Sequence, residues 1–330
     1  MILSSQFRRA LSGADRGGKT PFVDLKRNFD RTYLLVRLFY LLSAYQIYRM
    51  GQPLHFQTMQ DPALDPRWPI MWIESVPLSL VQIGDILVAT CMGFAMLSLW
   101  KPGLWISRAG YSLTLLFVLA IPPSMGGTNH GDHAWFWISL VFIFLPSTNT
   151  RLGRLMYCQT LAIAQAVLLF FYTLAGFWKV AYGIIAIAQG VEGNLAPRGL
   201  AITLSDRIVQ SNTEPLLGPL FINNYLLAWP LFLVLIYAQF VAIMVVFRPT
   251  LHIPWGLLLM GFHLGTFLLM EINFPNHMLL LLVLLVASPF AKPDWLQWST
   301  ISKLPGAALF SWISRIGKPG QRIAAEVNTV

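Results

Sequence analysis

Four ionisable side chains, Arg37, Asp85, Lys179 and Glu271, lie within long apolar stretches. His263 lies in another, and His130 just precedes a further one. Charges in such surroundings are costly, so each is a candidate for function by default. Lys179 is the sharpest case, placed in "LLFFYTLAGFWKVAYGIIAIAQG" (168–190) with no acid near it in sequence. A lysine in an apolar pocket loses the hydration of its charged form and can then act as a base. Tyr172, Gly176, Lys179 and Gly183 recur at i, i+4, i+7 and i+11, so they share one helix face. Glycines flanking a lysine let a second helix or a flat ligand come close. His263, Phe267, Met270, Glu271 and Phe274 form a similar stripe, with a base, a carboxylate and two aromatic rings. Such a stripe suits a flat apolar substrate.

Each residue also has a plainer reading. Lys179 near a membrane boundary can snorkel to the headgroups, as can Arg37. Glu271 can pair with Lys179 as a purely structural contact, which would hold the amine charged and oppose the effect of burial. His263 can be an interhelical hydrogen-bonder, and His130 and His133 ordinary loop residues. "HGDH" has only two histidines, too weak a match for a metal site, so no metal is expected.

The elements that position these groups follow from composition. Of 330 residues, 56% are hydrophobic and 11% charged. A soluble domain carries roughly 25% charge, so lipid is the expected solvent for most of the chain. The net charge of +9 falls in short blocks between apolar spans, a topology signal that argues against nucleic-acid binding. Cys91 and Cys158 cannot build a zinc site and default to free buried thiols. Residues 1–31 mix Arg, Lys, Asp and Gly before any apolar run, so no secretory signal peptide is expected.

Eight apolar segments can be drawn at about 33–50, 77–100, 106–123, 134–147, 157–188, 225–247, 254–274 and 276–291. The fifth is long enough that it must project from the bilayer or break. Seventeen Lys and Arg fall on one side of these spans. Only Arg49, Arg67, Arg198 and Arg207 fall on the other. The positive-inside rule then places both termini in the cytoplasm. The expected architecture is an all-α, polytopic membrane bundle over 32–291. A basic cytoplasmic tail (1–31) precedes it, and a tail (292–330) follows with an interfacial helix at "GAALFSWISRIGK". The outer loop 190–224 is long enough for a lid or a small helix. At 1.5 Å per residue, Lys179 lies roughly 30 Å from the inner end of its helix. Lys179, Glu271, His130, Asp132, His133 and His277 are thereby expected at one outer membrane level.

Three stretches carry a family resemblance: "TNHGDHAWFWISLVFIFLPS", "FYTLAGFWKVAYG" and "FHLGTFLLMEINFPNHMLLLLVLLVASPF". Together and in this order they resemble the HTTM family, the membrane domain shared by the vitamin K-dependent gamma-carboxylase and bacterial relatives. The likeness extends loosely over about 30–292. It implies that Lys179 is the base that deprotonates a reduced quinone, that His130 matches the family's Asn-His histidine, and that His263 matches its Phe-His position. It supplies no counterpart for Glu271. The chain ends soon after its last span, without the carboxylase's large lumenal portion, which speaks against a propeptide-recognising glutamate carboxylase.

The resulting expectation is a membrane enzyme with an outward-facing site, in a bacterial inner membrane. It would use a lipid-soluble, vitamin K-like quinone as cofactor or substrate, or modify a secreted peptide. Lys179 and His130 are the expected catalytic pair, and His263, Glu271, Tyr172 and Phe267 the expected substrate contacts. A non-catalytic lipid- or partner-binding maturation factor is the alternative. A transporter is disfavoured by the lack of an internal repeat.

Overall fold

In the computed structural model, residues 25–60, 64–66, 68–126, 131–292, 304, 305 and 307 are described, and among them there is no strand. The helices run α1 Leu25–Met59, α2 Leu80–Trp100, α3 Trp105–Ser124, α4 His133–Ile143 and α5 Arg151–Ala188. They continue as α6 Gly199–Ser211, α7 Gly218–Asn223, α8 Tyr225–Phe240, α9 His252–Met270 and α10 Pro275–Leu281. Four helical stretches among the described residues are long and apolar enough to cross a membrane: α2, α3, α5 and Pro249–Met270. His130, most of the basic tail and the expected interfacial helix apart from Ala307 lie outside the described residues.

Local sequence explains the helix starts. Ser79 accepts from the Gln82 amide while the Gln82 side chain accepts from the Ser79 amide, a reciprocal cap on α2. Thr150 caps α5 by accepting from Gly153 at 3.0 Å. α1 continues well past the apolar run 33–50, through Pro53 to Met59. Its outer turns pack on α2, with Gly51 against Val88 and Gly84 near Leu54 and Thr58. Close helix contact through these glycines, rather than local hydropathy, sustains the extra length.

α5 packs against α1, α4, α8 and the π-helical turn Leu282–Val286 that follows α10. Its 38 residues make a single unbroken helix about 57 Å long, longer than the roughly 30 Å apolar core of a bilayer. Exposed Phe177, Trp178 and Tyr182 ring its outer half, and exposed Trp100 and Trp105 flank the α2–α3 turn, as amphipathic aromatics do at membrane interfaces. The π turn carries an unusual backbone bond: Leu284 O accepts from the buried Gln165 amide at 2.5 Å, and Gln165 also donates to Ser288.

Gly176 marks the closest approach of α5 to α8. A Cβ there would stand 2.3 Å from the Phe240 nitrogen and 2.7 Å from the Gln239 carbonyl carbon, both backbone atoms. Gly176→Ala gains about 1 kcal/mol of helix propensity but must push two backbones apart. A net loss of stability is expected, read as a lower melting temperature of the purified protein. An unchanged or higher value would contradict this packing.

The loop 190–224 is folded, as α6 and α7. Leu200 and Leu204 join Phe232 and Ile236 of α8 in a second small core. Trp229 donates to Leu195 O at 3.0 Å, and the Leu217 amide donates to Leu268 O at 3.0 Å. Leu195 fills the space beside Gly183. These contacts tie the loop to α5, α8 and α9.

Candidate functional site

The turn before α4 meets the turn before α10. Asp132 Oδ1 accepts from the Gln46 amide of α1 at 2.8 Å and from the Asn276 amide. Burial pushes the Asp132 carboxyl above the usual carboxylate range, opposed by those two hydrogen bonds and by the charges of His133 and Arg49. His277 bonds to the Gly131 carbonyl. The "GDH" and "NFPNH" segments, 144 residues apart at Asp132 and Asn276, are thus held together.

Behind this junction lies an aromatic and imidazole cluster. Tyr172 OH and His263 Nε2 are 2.6 Å apart, joining α5 to α9. The His263 ring is 5.1 Å from Phe274 and 5.4 Å from His277, centroid to centroid. Nδ1 of both histidines is buried without a partner. Either partner can donate in this bond, the Tyr172 hydroxyl to a bare Nε2 or an Nε2–H to the hydroxyl oxygen, according to the His263 tautomer.

Lys179 has a partner that its sequence surroundings do not announce. Its Nζ donates to Oε1 of the buried Gln239 on α8 at 3.0 Å. Glu271 stands apart, exposed, and among the described residues no ion pair joins it to Lys179. α9 ends at Met270, short of the 274 expected, and Glu271 caps it in the left-handed region with φ 55°. The stripe of His263, Phe267 and Glu271 is therefore broken: His263 is buried, Phe267 is 46% exposed and Glu271 is off the helix. Phe274, beyond the helix end, still reaches His263.

A non-glycine residue in that conformation carries about 1–2 kcal/mol of strain. Glu271→Gly should raise the melting temperature by relieving it, the equivalent of roughly 1 kcal/mol. A fall would mean that the carboxylate makes a stabilising contact that outweighs the strain.

Asp85 also finds a partner, one hidden by the underestimated length of α1. His55 Nδ1 is 2.9 Å from Asp85 Oδ1, with both side chains about half exposed (46% and 53%). Such a pair contributes little. Asp85 is thus engaged near the N-terminal end of α2.

A cavity of about 710 Å³ opens between α1, the C-terminal end of α3 and the two joined turns. Gln46, Arg49, Asp132, Phe274 and Asn276 line it; Lys179, Tyr172 and His263 do not. The signal for Gln239 was present in sequence, as an amide inside an apolar helix, but amides are cheaper to bury than charges and so rank lower. Gln46 was equally legible in "SAYQIYR". No family model, curated protein or solved structure matches this chain.

Proposed function

We propose that the chain is an eight-span integral membrane protein with both termini in the cytoplasm, sited in a bacterial inner membrane, and that it acts as an HTTM-like enzyme on a reduced quinone at its outer side. The observation that carries this reading is the meeting of the three motif-bearing stretches. Tyr172 of the Ala-Gly-Lys helix bonds His263 of the Phe-His helix, and Asp132 of the first stretch bonds Asn276 of the third.

With a hydroquinone bound, Lys179 Nζ would take its O–H proton and become an ammonium. Gln239 Oε1 already accepts a hydrogen bond from Nζ at 3.0 Å and can keep it in either protonation state. A neutral amide holds the amine in place without demanding that it stay charged, which the Glu271 carboxylate would have done. Gly176 keeps Gln239 within reach by letting α8 approach. Tyr172 and His263 orient the ring. Glu271 and Phe267 are not needed for this chemistry.

A second reading, a non-catalytic lipid- or partner-binding maturation factor, draws on the same Lys179–Gln239 bond taken as a structural clasp. Saturable quenching of tryptophan fluorescence by a naphthoquinone in protein-loaded nanodiscs supports the quinone reading, and its absence counts against it. Reporter fusions at 102, 149 and the C-terminus should report cytoplasm, and one at 212 the outside. The reverse pattern would overturn the orientation.

A further inference from the structure

The outer cavity is distinct from the Lys179 and His263 groups, and one of its walls has an uncommon bias. Gln46 and Asn276 both spend an amide N–H on Asp132 Oδ1. That choice fixes both amides and leaves Gln46 Oε1 and Asn276 Oδ1 buried with no partner. Gln46 is only 3% exposed. Two orphaned amide oxygens beside a carboxylate form a group of acceptors that is costly to leave unmet.

What meets such a group is a donor-rich cation. A primary ammonium brings three N–H donors on one small atom. Hard metal ions want six or more oxygens, and a cavity of about 710 Å³ is far larger than an ion. Arg49, exposed and lining the same cavity, opposes a second bare cation but recruits an anion. It lies three residues after Gln46 on α1, so the two side chains are neighbours about 5–6 Å apart on one face. Leu119 and Met125 make the facing wall apolar.

We propose that this cavity binds a zwitterion in which a primary ammonium and an oxyanion lie a few bonds apart, the ammonium at Gln46, Asn276 and Asp132 and the oxyanion at Arg49. Phosphoethanolamine is the simplest group with that chemistry, either free or as an aminophospholipid headgroup. The site stands independently of the quinone reading, since Lys179 and His263 take no part in it.

Calorimetric titration of the purified full-length protein tests it with O-phosphoethanolamine, O-phosphocholine and sodium chloride as probes. Phosphocholine has the same charges but no N–H donor, so at least tenfold weaker binding than phosphoethanolamine is expected. Gln46→Met should weaken phosphoethanolamine at least tenfold. Arg49→Gln, which changes an exposed side chain and leaves the core intact, should do likewise and keeps the test decisive if Gln46→Met does not fold. Equal binding of the choline compound, protection by sodium alone, or no binding of phosphoethanolamine in either form would overturn the proposal. Nanodiscs of phosphatidylethanolamine against phosphatidylcholine separate the sources: a selective gain in melting temperature there, without binding of the free compound, assigns the site to lipid.

Discussion

Arg108→Met should be among the most destabilising single substitutions in this chain. The side chain is only 1% exposed. Its guanidinium donates to the carbonyls of Pro102, Ile143 at 3.2 Å and Leu145 at 2.8 Å. Those carbonyls end two helices: the turn after α2 and the C-terminus of α4. α4 has 11 residues, about 16 Å, too short to carry its free carbonyls to water. Arg108 satisfies them from inside, and its charge complements the negative end of the helix dipole. Methionine fills similar space but strands three acceptors, at about 1–3 kcal/mol each. On the order of 3 kcal/mol or more should be lost, a large share of the roughly 5–15 kcal/mol typical of a folded domain. Thermal unfolding in detergent would read this as a drop of several degrees. Arg108→Lys should not restore it, because one ammonium cannot span three carbonyls in a fork. Near-wild-type melting of both variants would contradict the capping role.

Lys179→Met carries the second large effect, on activity rather than stability. The methionine keeps the unbranched stem and removes the amine. General-base groups contribute about 10²- to 10⁴-fold, and a loss in that range is expected for hydroquinone-dependent turnover. Stability should fall little, since only one hydrogen bond, to Gln239, goes with it. Gln239→Leu supplies the complementary split. It leaves the amine in place but unheld, so turnover should fall by less than in Lys179→Met. A structural clasp would behave oppositely: both variants would lose similar stability and neither would change turnover.

Much of the fold was legible because membrane helices announce themselves by length and apolarity. All eight apolar segments coincide largely with helix, and the i, i+4, i+7, i+11 spacing identified Gly176 and Gly183 as points of close approach. The failures share a cause. Apolar length does not mark where a helix stops: α1 runs nine residues past its apolar segment because α2 packs on it, and α9 stops four residues early at a left-handed cap. The first shift gives Asp85, for which the sequence suggests no partner, to His55, and the second takes Glu271 from Lys179. Charges stand out in an apolar sequence, whereas the amides that do the bonding, Gln46, Gln165, Gln239 and Asn276, do not. Arg108 counts among the basic residues that set the expected topology, and nothing in "WISRAG" reveals that it turns inward to cap α4.

The quinone reading is tested most directly by oxygen uptake from a reduced naphthoquinone, measured on purified wild-type and Lys179→Met protein whose melting temperatures are recorded in the same samples. The predicted result is protein-dependent uptake by wild type and a loss of at least about a hundredfold in the variant, with melting nearly unchanged. Equal uptake by the two proteins, or none by folded wild type, would contradict it and leave Lys179 as a clasp between α5 and α8.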